Sequence, residues 1–222
     1  MDTEVLANTP LFHGIRSHEI TQLLPCLGMK HKHYDKDELI LRAGDVTESF
    51  GIIEQGSANI VVNSYWGDST IIGHVYQGEI FATAYAAIPD EELRVDVIAA
   101  DSCSVVFFSM NKVLTSCNSA CAPHHRLIQN MVRLSAKKNL SLTSRMLHIA
   151  PKSIRKRLLS YLSEQAQIHG SSSFEIPFSR QQLADYLGVD RSALSNELSK
   201  MQRDGIISYR KNRFTLHEVA EV

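Results

Sequence analysis

S-R-Q-Q-L-A-D-Y-L-G-V-D-R-S-A-L-S-N-E-L-S-K-M, residues 179–201, is the stretch on which the reading of this chain turns. Ser179 followed three residues later by Gln182 is a capping-box start, and Leu183, Ala184 and Leu187 then share one helical face. Gly188 supplies the residue able to take positive φ at a sharp helix stop. Val189 can plug the space between two helices, and Asp190 can cap the second. Leu194, Leu198 and Met201 form the second helix's buried stripe, which leaves Arg191, Ser192, Ser195, Asn196 and Ser199 facing outward. The pattern predicts a helix-turn-helix.

That outer face suits the major groove, where Arg pairs bidentately with guanine and Asn with adenine, each good pair giving ~1–3 kcal/mol of base discrimination. Arg191, Ser192, Ser195 and Asn196 are therefore the expected base readers. An ordinary helical hairpin with a solvated polar face is the competing reading. The segment C-terminal to the second helix favours DNA. After Gly205, I-I-S-Y-R-K-N-R-F-T-L (residues 206–216) reads as two short strands around a turn near Lys211-Asn212, with Arg210, Lys211 and Arg213 at the tip. A basic hairpin after such a helix is a wing. Ser179, Arg180, Lys211 and Arg213 are the expected phosphate contacts, which fix register without reading sequence.

The charge distribution agrees. The net charge of −1 conceals −9 over residues 1–122, +5 over 123–149 and +3 over 150–222, an acidic front and a basic back. No apolar run approaches a membrane span, and the N-terminus lacks a basic, then apolar, leader, so a cytoplasmic protein without a membrane partner is expected. Four scattered cysteines are too few for a secreted disulfide framework.

Residues 3–27 carry leucines, isoleucines and a phenylalanine at mostly helical spacing, broken by Pro10 and Gly14, and predict short helices. The pattern then changes to brief β-rich runs at 38–41, 50–53, 58–63, 70–75, 95–100 and 104–108, punctuated by turns such as Gln55-Gly56 and Trp66-Gly67-Asp68. Many short strands at this spacing predict a small antiparallel barrel or roll. From Pro123 to Ile149 the chain has no Gly, no acidic residue and no further Pro. Leu127, Met131, Leu134, Leu142, Met146 and Ile149 mostly follow a three-four spacing, and a helix of roughly 40 Å with such a stripe fits a seam between two chains. Ala150-Pro151 reads as a hinge, followed by a helix over 154–169 with Arg155, Lys156 and Arg157 at its start.

Leu11-Phe12, Arg42-Ala43-Gly44-Asp45, Gly51-Ile52-Ile53-Glu54-Gln55-Gly56 and Gln77-Gly78-Glu79 resemble, in order and spacing, the effector domain of the Crp/Fnr transcription regulators. The helix-turn-helix and wing resemble the same family's DNA-binding domain. The resemblance implies an α+β chain: an antiparallel β-roll of the cyclic-nucleotide-binding, jelly-roll kind (1–122), a long dimerisation helix (123–149) and a winged helix-turn-helix (150–222). It also implies a homodimer on a palindromic double-stranded operator, a small-molecule effector, and RNA polymerase as a further partner.

In the family's cyclic-AMP-binding members a Gly-Glu pair holds the ribose and an Arg-Ser pair the phosphate. Aligned on Gln77-Gly78, these fall on Ala82-Thr83 and Arg94-Val95, so the carboxylate and the hydroxyl are missing. A lost buried partner for a ribose hydroxyl costs ~1–3 kcal/mol, so the effector is expected not to be cyclic AMP. Ala82, Thr83, Arg94 and Thr143 remain the positions where an effector is expected to bind. The grouped cysteines of an iron–sulfur sensor are absent. Cys117, Cys121, His124 and His125 form one local set whose soft and borderline donors could bind metal or respond to redox state, an alternative to the small-molecule effector. The cofactor is left unassigned. Two further readings stay open: a constitutive DNA-binding protein whose front half is only a scaffold, and an enzyme, against which stands the lack of a nucleophile–base frame, P-loop or paired carboxylates.

Overall fold

The computed structural model describes residues 3–115 and 121–217. The chain divides into two compact units, Met1–Ser135 and Ala136–Val222. The first opens with α1 (Thr3–Ala7), a 3₁₀ turn (Pro10–Phe12) and α2 (Ser17–Leu23). The strands β1 (Lys30–Tyr34), β2 (Leu39–Leu41), β3 (Ser49–Gln55), β4 (Ala58–Asn63), β5 (Ser69–Val75) and β6 (Ile80–Phe81) come next. Then come α3 (Thr83–Ala87), β7 (Asp96–Ala99), β8 (Cys103–Ser109), α4 (Met110–Leu114) and the long helix α5 (Ala122–Ile149).

The strands form two four-stranded antiparallel sheets, ordered β1-β8-β3-β6 and β2-β7-β4-β5. This is the expected jelly-roll arrangement. Its logic is clearest in β8, whose side chains alternate across the sheet. Val105 and Phe107 enter the core between the sheets, whereas Val106 and Phe108 face a second core built with α1, α2, α4 and the start of α5. A strand covered on both faces reads as a continuous apolar run, which is why its sequence lacks alternation. Gly51, on neighbouring β3, has no side chain because a Cβ there would lie 2.2 Å from Cζ of Phe81.

Two strands escape the apolar-run reading. β1, Lys-His-Lys-His-Tyr, is an edge strand exposed except at Tyr34, and charged side chains on an edge discourage pairing with another chain. β6 is only two residues long and pairs through Gly51 and Ile52.

The second unit contains the later part of α5, then α6 (Ile154–His169), β9 (Ser173–Glu175), α7 (Arg180–Leu187), α8 (Arg191–Arg203), β10 (Ile207–Arg210) and β11 (Arg213–Leu216). The three strands pair antiparallel in the order β10-β11-β9. Leu158 and Leu162 of α6, Leu183 and Leu187 of α7, Leu194 and Leu198 of α8, and Phe214 of the wing are fully buried together.

The apolar stripe predicted along α5 divides. Leu127 and Met131 are buried in the helical core of the first unit, with Leu134 packed against it, so this part of the stripe is intramolecular. Leu142 and Met146 are exposed, as are Val132, Leu140 and Leu147. The break at Ala150-Pro151 is braced rather than loose: Arg157 Nε donates to Pro151 O at 2.8 Å, and the buried His148 before it bonds Ser160 and Glu164 of α6. Among the described residues no helix is long and apolar enough to cross a membrane.

Candidate nucleic-acid interface

The helix-turn-helix forms from local chemistry at each boundary. Ser179 Oγ accepts from Gln182 N at 3.3 Å while Ser179 N donates to Gln182 Oε1 at 2.8 Å, completing the capping box of α7. Gly188 ends that helix at φ +62°, and Val189 N donates to Ala184 O at 3.0 Å. Asp190 then caps α8, its Oδ1 accepting from Ser192 N at 2.8 Å and Ala193 N at 3.0 Å. These bonds hold the Asp190 carboxyl below the usual carboxylate range, led by the bond from the Ser192 hydroxyl.

Of the expected base readers, Arg191, Ser192 and Asn196 are exposed and Ser195 is half-buried. Their chemistry differs. Among the described residues, no neighbour engages the Arg191 guanidinium or the Asn196 amide. Ser192 Oγ donates to Asp190 Oδ1 at 2.5 Å, and Ser195 Oγ to Arg191 O at 2.9 Å. With their protons committed inside the helix, the two serines meet a ligand as acceptors, whereas Asn196 offers both a donor and an acceptor. Glu197, on the same helix, faces inward and pairs with Arg155 of α6 at 2.6 Å.

The wing turns at Lys211 and Asn212, with Arg210 opposite Arg213. Arg210, Lys211 and Arg213 are exposed, and Lys211 adopts a φ of +55° that side chains with a Cβ rarely take. Asn212 Nδ2 anchors the turn by donating to Glu175 Oε1 at 2.6 Å. Arg180 is half-buried: its Nη2 donates to Lys211 O at 2.9 Å, and its guanidinium lies 5.1 Å from the Tyr209 ring centroid and 5.6 Å from that of Phe214. Burial lowers its pKa. Arg180 thus pins the start of α7 to the wing, and Pro177, Phe178, Ser179, Gln182, Lys211 and Asn212 line a cleft around it. The Ser179 hydroxyl accepts in the capping bond, so its proton takes no part in it.

Arg155, Lys156 and Arg157 form a basic helix start in sequence, but they part in the structure. Arg155 is neutralised by Glu197 and by Asp204, the latter at 2.6 Å, and Arg157 turns to backbone carbonyls, which leaves Lys156 exposed. Nothing local in the sequence marks Arg145, whose contacts with α7 are 40 and 41 residues away along the chain. Only the fold brings such pairs together.

The positions expected to meet an effector are dispersed. Ala82, at φ +61°, precedes α3, which Thr83 begins, and both are half-buried. Arg94 carries a side chain 80% exposed and paired with Glu91 at 3.1 Å, a surface ion pair. Thr143 is exposed on α5. Cys117 lies outside the described residues. Cys121 is half-buried and packs against the helical core. His124 is buried, with Nε2 bonded to Val113 O at 3.0 Å and Nδ1 without a hydrogen-bond partner among the described residues, and His125 bonds Gln129 at 2.9 Å. Burial raises the pKa of the Cys103 thiol, away from reactivity. Among the described residues no three His, Cys, Asp or Glu gather to hold a metal ion.

The profile of the Crp-like helix-turn-helix domain matches residues 156–221, and that of the cyclic nucleotide-binding domain matches residues 31–119. Electron transport regulator A of Shewanella oneidensis is 23% identical over 199 residues, 87% of this chain and 76% of that protein. Among solved structures, OCPA-complexed CprK is similar with a TM-score of 0.61 at 13% identity, over 89% of this chain and 91% of that one. The c-di-GMP-responsive regulator CLP of Xanthomonas campestris is similar with a TM-score of 0.53 at 18% identity, over 92% of this chain and all of that one. With both halves matched and the winged helix-turn-helix in place, this chain belongs to the Crp/Fnr family of DNA-binding transcription regulators, which are not enzymes.

Proposed function

We propose that the protein is a homodimeric regulator that binds a palindromic operator and is switched by a small molecule other than cyclic AMP. The observation that carries the DNA reading is the exposure, on one unit, of Arg191 and Asn196 on α8 beside a wing bearing Arg210, Lys211 and Arg213. Arg191 and Asn196 donate and accept at base edges; Ser192 and Ser195 accept from exocyclic amines; Ser179, Lys211 and Arg213 hold phosphates, with Arg180 bracing them. Two such units about one DNA turn apart, ~34 Å, address the two half-sites.

The dimer is supported by α5. Val132, Ala136, Leu140, Thr143 and Leu147 are exposed and recur at spacings of four, four, three and four, a coiled-coil seam. This seam is offset from the stripe expected from sequence, whose first residues are taken up by the core. The effector reading is supported by Ala82 and Thr83, which offer no ribose carboxylate, and by Arg94, which already has Glu91. Fold relatives described as c-di-GMP-responsive or OCPA-complexed are consistent with other small molecules. Such a regulator works in the cytoplasm, with RNA polymerase as the partner at promoters it activates.

Selection from random DNA tests the proposal: a two-fold symmetric consensus is expected, bound with a steep salt dependence. An unenriched pool would refute it. Native mass spectrometry of gently purified protein, beside a denatured sample, addresses the switch. A dimer carrying extra mass lost on denaturation supports an effector, and a bare dimer indifferent to metabolite extract supports the constitutive scaffold.

A further inference from the structure

The end of α7 is held in an unusual way. A helix leaves its last carbonyls without intrahelical partners and carries a partial negative charge there. At this end of α7, a helix only eight residues long, the carbonyls of its last three residues and of Gly188 after them meet two guanidinium groups. Arg145 of α5 donates from Nη2 to Asp185 O and from Nε to Tyr186 O, both at 2.9 Å. Its guanidinium carbon lies 5.6 Å from the Tyr186 ring centroid. Arg157 of α6 donates from Nη1 to Leu187 O at 3.0 Å and to Gly188 O at 3.2 Å.

The base from which Arg145 reaches is itself fixed. One turn on, the buried His148 bonds Glu164 Oε2 at 2.9 Å and Ser160 Oγ at 3.0 Å, and Ser144 Oγ donates to Glu164 Oε1 at 2.7 Å. The target is equally placed to pass orientation on. Asp185 and Tyr186 are followed, after Leu187, by Gly188, Val189 and Asp190, the turn that caps α8 and sets where that helix begins.

We propose that Arg145 is a positioning residue for DNA reading: it ties the later part of α5 to the end of α7, so that the orientation of the recognition helix is set from α5 within the same unit. Arg157 supports the same turn from α6. The inference rests on α8 being the base-reading helix. Two charge-assisted bonds from one planar fork fix direction as well as distance, which a single contact from a flexible ammonium cannot do.

The test uses full-length Arg145→Met and Arg145→Lys on the selected operator, by fluorescence anisotropy at several salt concentrations, with thermal melting alongside. Operators with the half-sites moved one base pair closer or farther are included. Arg145→Met is expected to weaken binding about tenfold with the salt slope unchanged and to lose discrimination between spacings, while Arg145→Lys retains part of both. Unchanged affinity and spacing preference in Arg145→Met overturn the proposal. A salt slope reduced by ~1 also overturns it, because Arg145 would then be a phosphate contact. A loss accounted for by the unfolded fraction at the assay temperature overturns it as well. Asn196→Ala in the same assay separates the two levels: if it alters base preference while Arg145→Met changes nothing, only the positioning role fails. If the wild type binds no operator, the DNA reading fails with it.

Discussion

Replacing Asn196 with alanine separates recognition from stability more cleanly than any other change at this site. Asn196 is exposed on α8, outside the buried stripe of Leu194, Leu198 and Met201. Truncation therefore opens no cavity and orphans no partner. Alanine is the better helix former by up to ~0.7 kcal/mol, so the melting temperature should hold or rise slightly. Binding should move the other way. An Asn–adenine pair is worth ~1–3 kcal/mol, about 5- to 150-fold in affinity, and its loss falls on one position of each half-site. Neighbouring Ser192 and Ser195 cannot substitute as donors, because their hydroxyl protons serve Asp190 Oδ1 and Arg191 O. The assay is a selection from random DNA with wild type and variant in parallel, then anisotropy on both consensus sites. Unaltered base preference at every position would refute the assignment of Asn196 to base reading. So would a fall in affinity equal on all sequences.

The geometry sets three further outcomes. Lys211→Gly relieves a left-handed φ of +55° and should stabilise the wing by ~1 kcal/mol, yet lower the salt slope of DNA binding by ~1; calorimetry and a salt titration would show the two effects with opposite sign. Leu198→Ala empties a fully buried site in the core of the second unit and should destabilise by ~2–5 kcal/mol in chemical denaturation, whereas a smaller loss would mean that the core collapses around it. Asp190 and Glu164 both have folded pKa values held below their ordinary ones, Asp190 chiefly by the Ser192 hydroxyl and Glu164 chiefly by the Ser144 hydroxyl. Their stabilisation is therefore complete above the unfolded carboxylate values near pH 4 and is lost as the pH falls through the folded ones. Melting temperature should be insensitive to these two groups between about pH 5 and 8 and fall below pH 4, and Glu164→Gln should flatten that acid limb.

Much of the DNA-reading unit was legible in sequence because its determinants are local. The capping box at Ser179 and Gln182, the left-handed Gly188, the Asp190 cap and the Leu194, Leu198, Met201 stripe all depend on residues within a turn or two of one another. So does the wing, whose turn falls on Lys211 and Asn212. Most of the strands were legible as well, since a buried strand must be apolar, but β1 was not. As an edge strand it carries Lys30 and Lys32, and nothing in its polarity marks it until β8 pairs with it.

What sequence left undecided are the contacts between elements far apart along the chain. The apolar spacing of α5 looked like one seam. Packing assigned Leu127 and Met131 to the core of the first unit and left Val132, Leu140 and Leu147 exposed, because periodicity shows that a face is apolar and not what covers it. Arginines show the same limit. Arg155, Arg157, Arg180 and Arg145 read alike as basic residues, yet the fold directs the first to two carboxylates, the second and fourth to the end of α7, and the third to Lys211 O and two aromatic rings. A guanidinium takes the role of whichever acceptors tertiary structure sets before it, so sequence determined which cations this protein has, and only the packing decided which of them remain exposed for DNA.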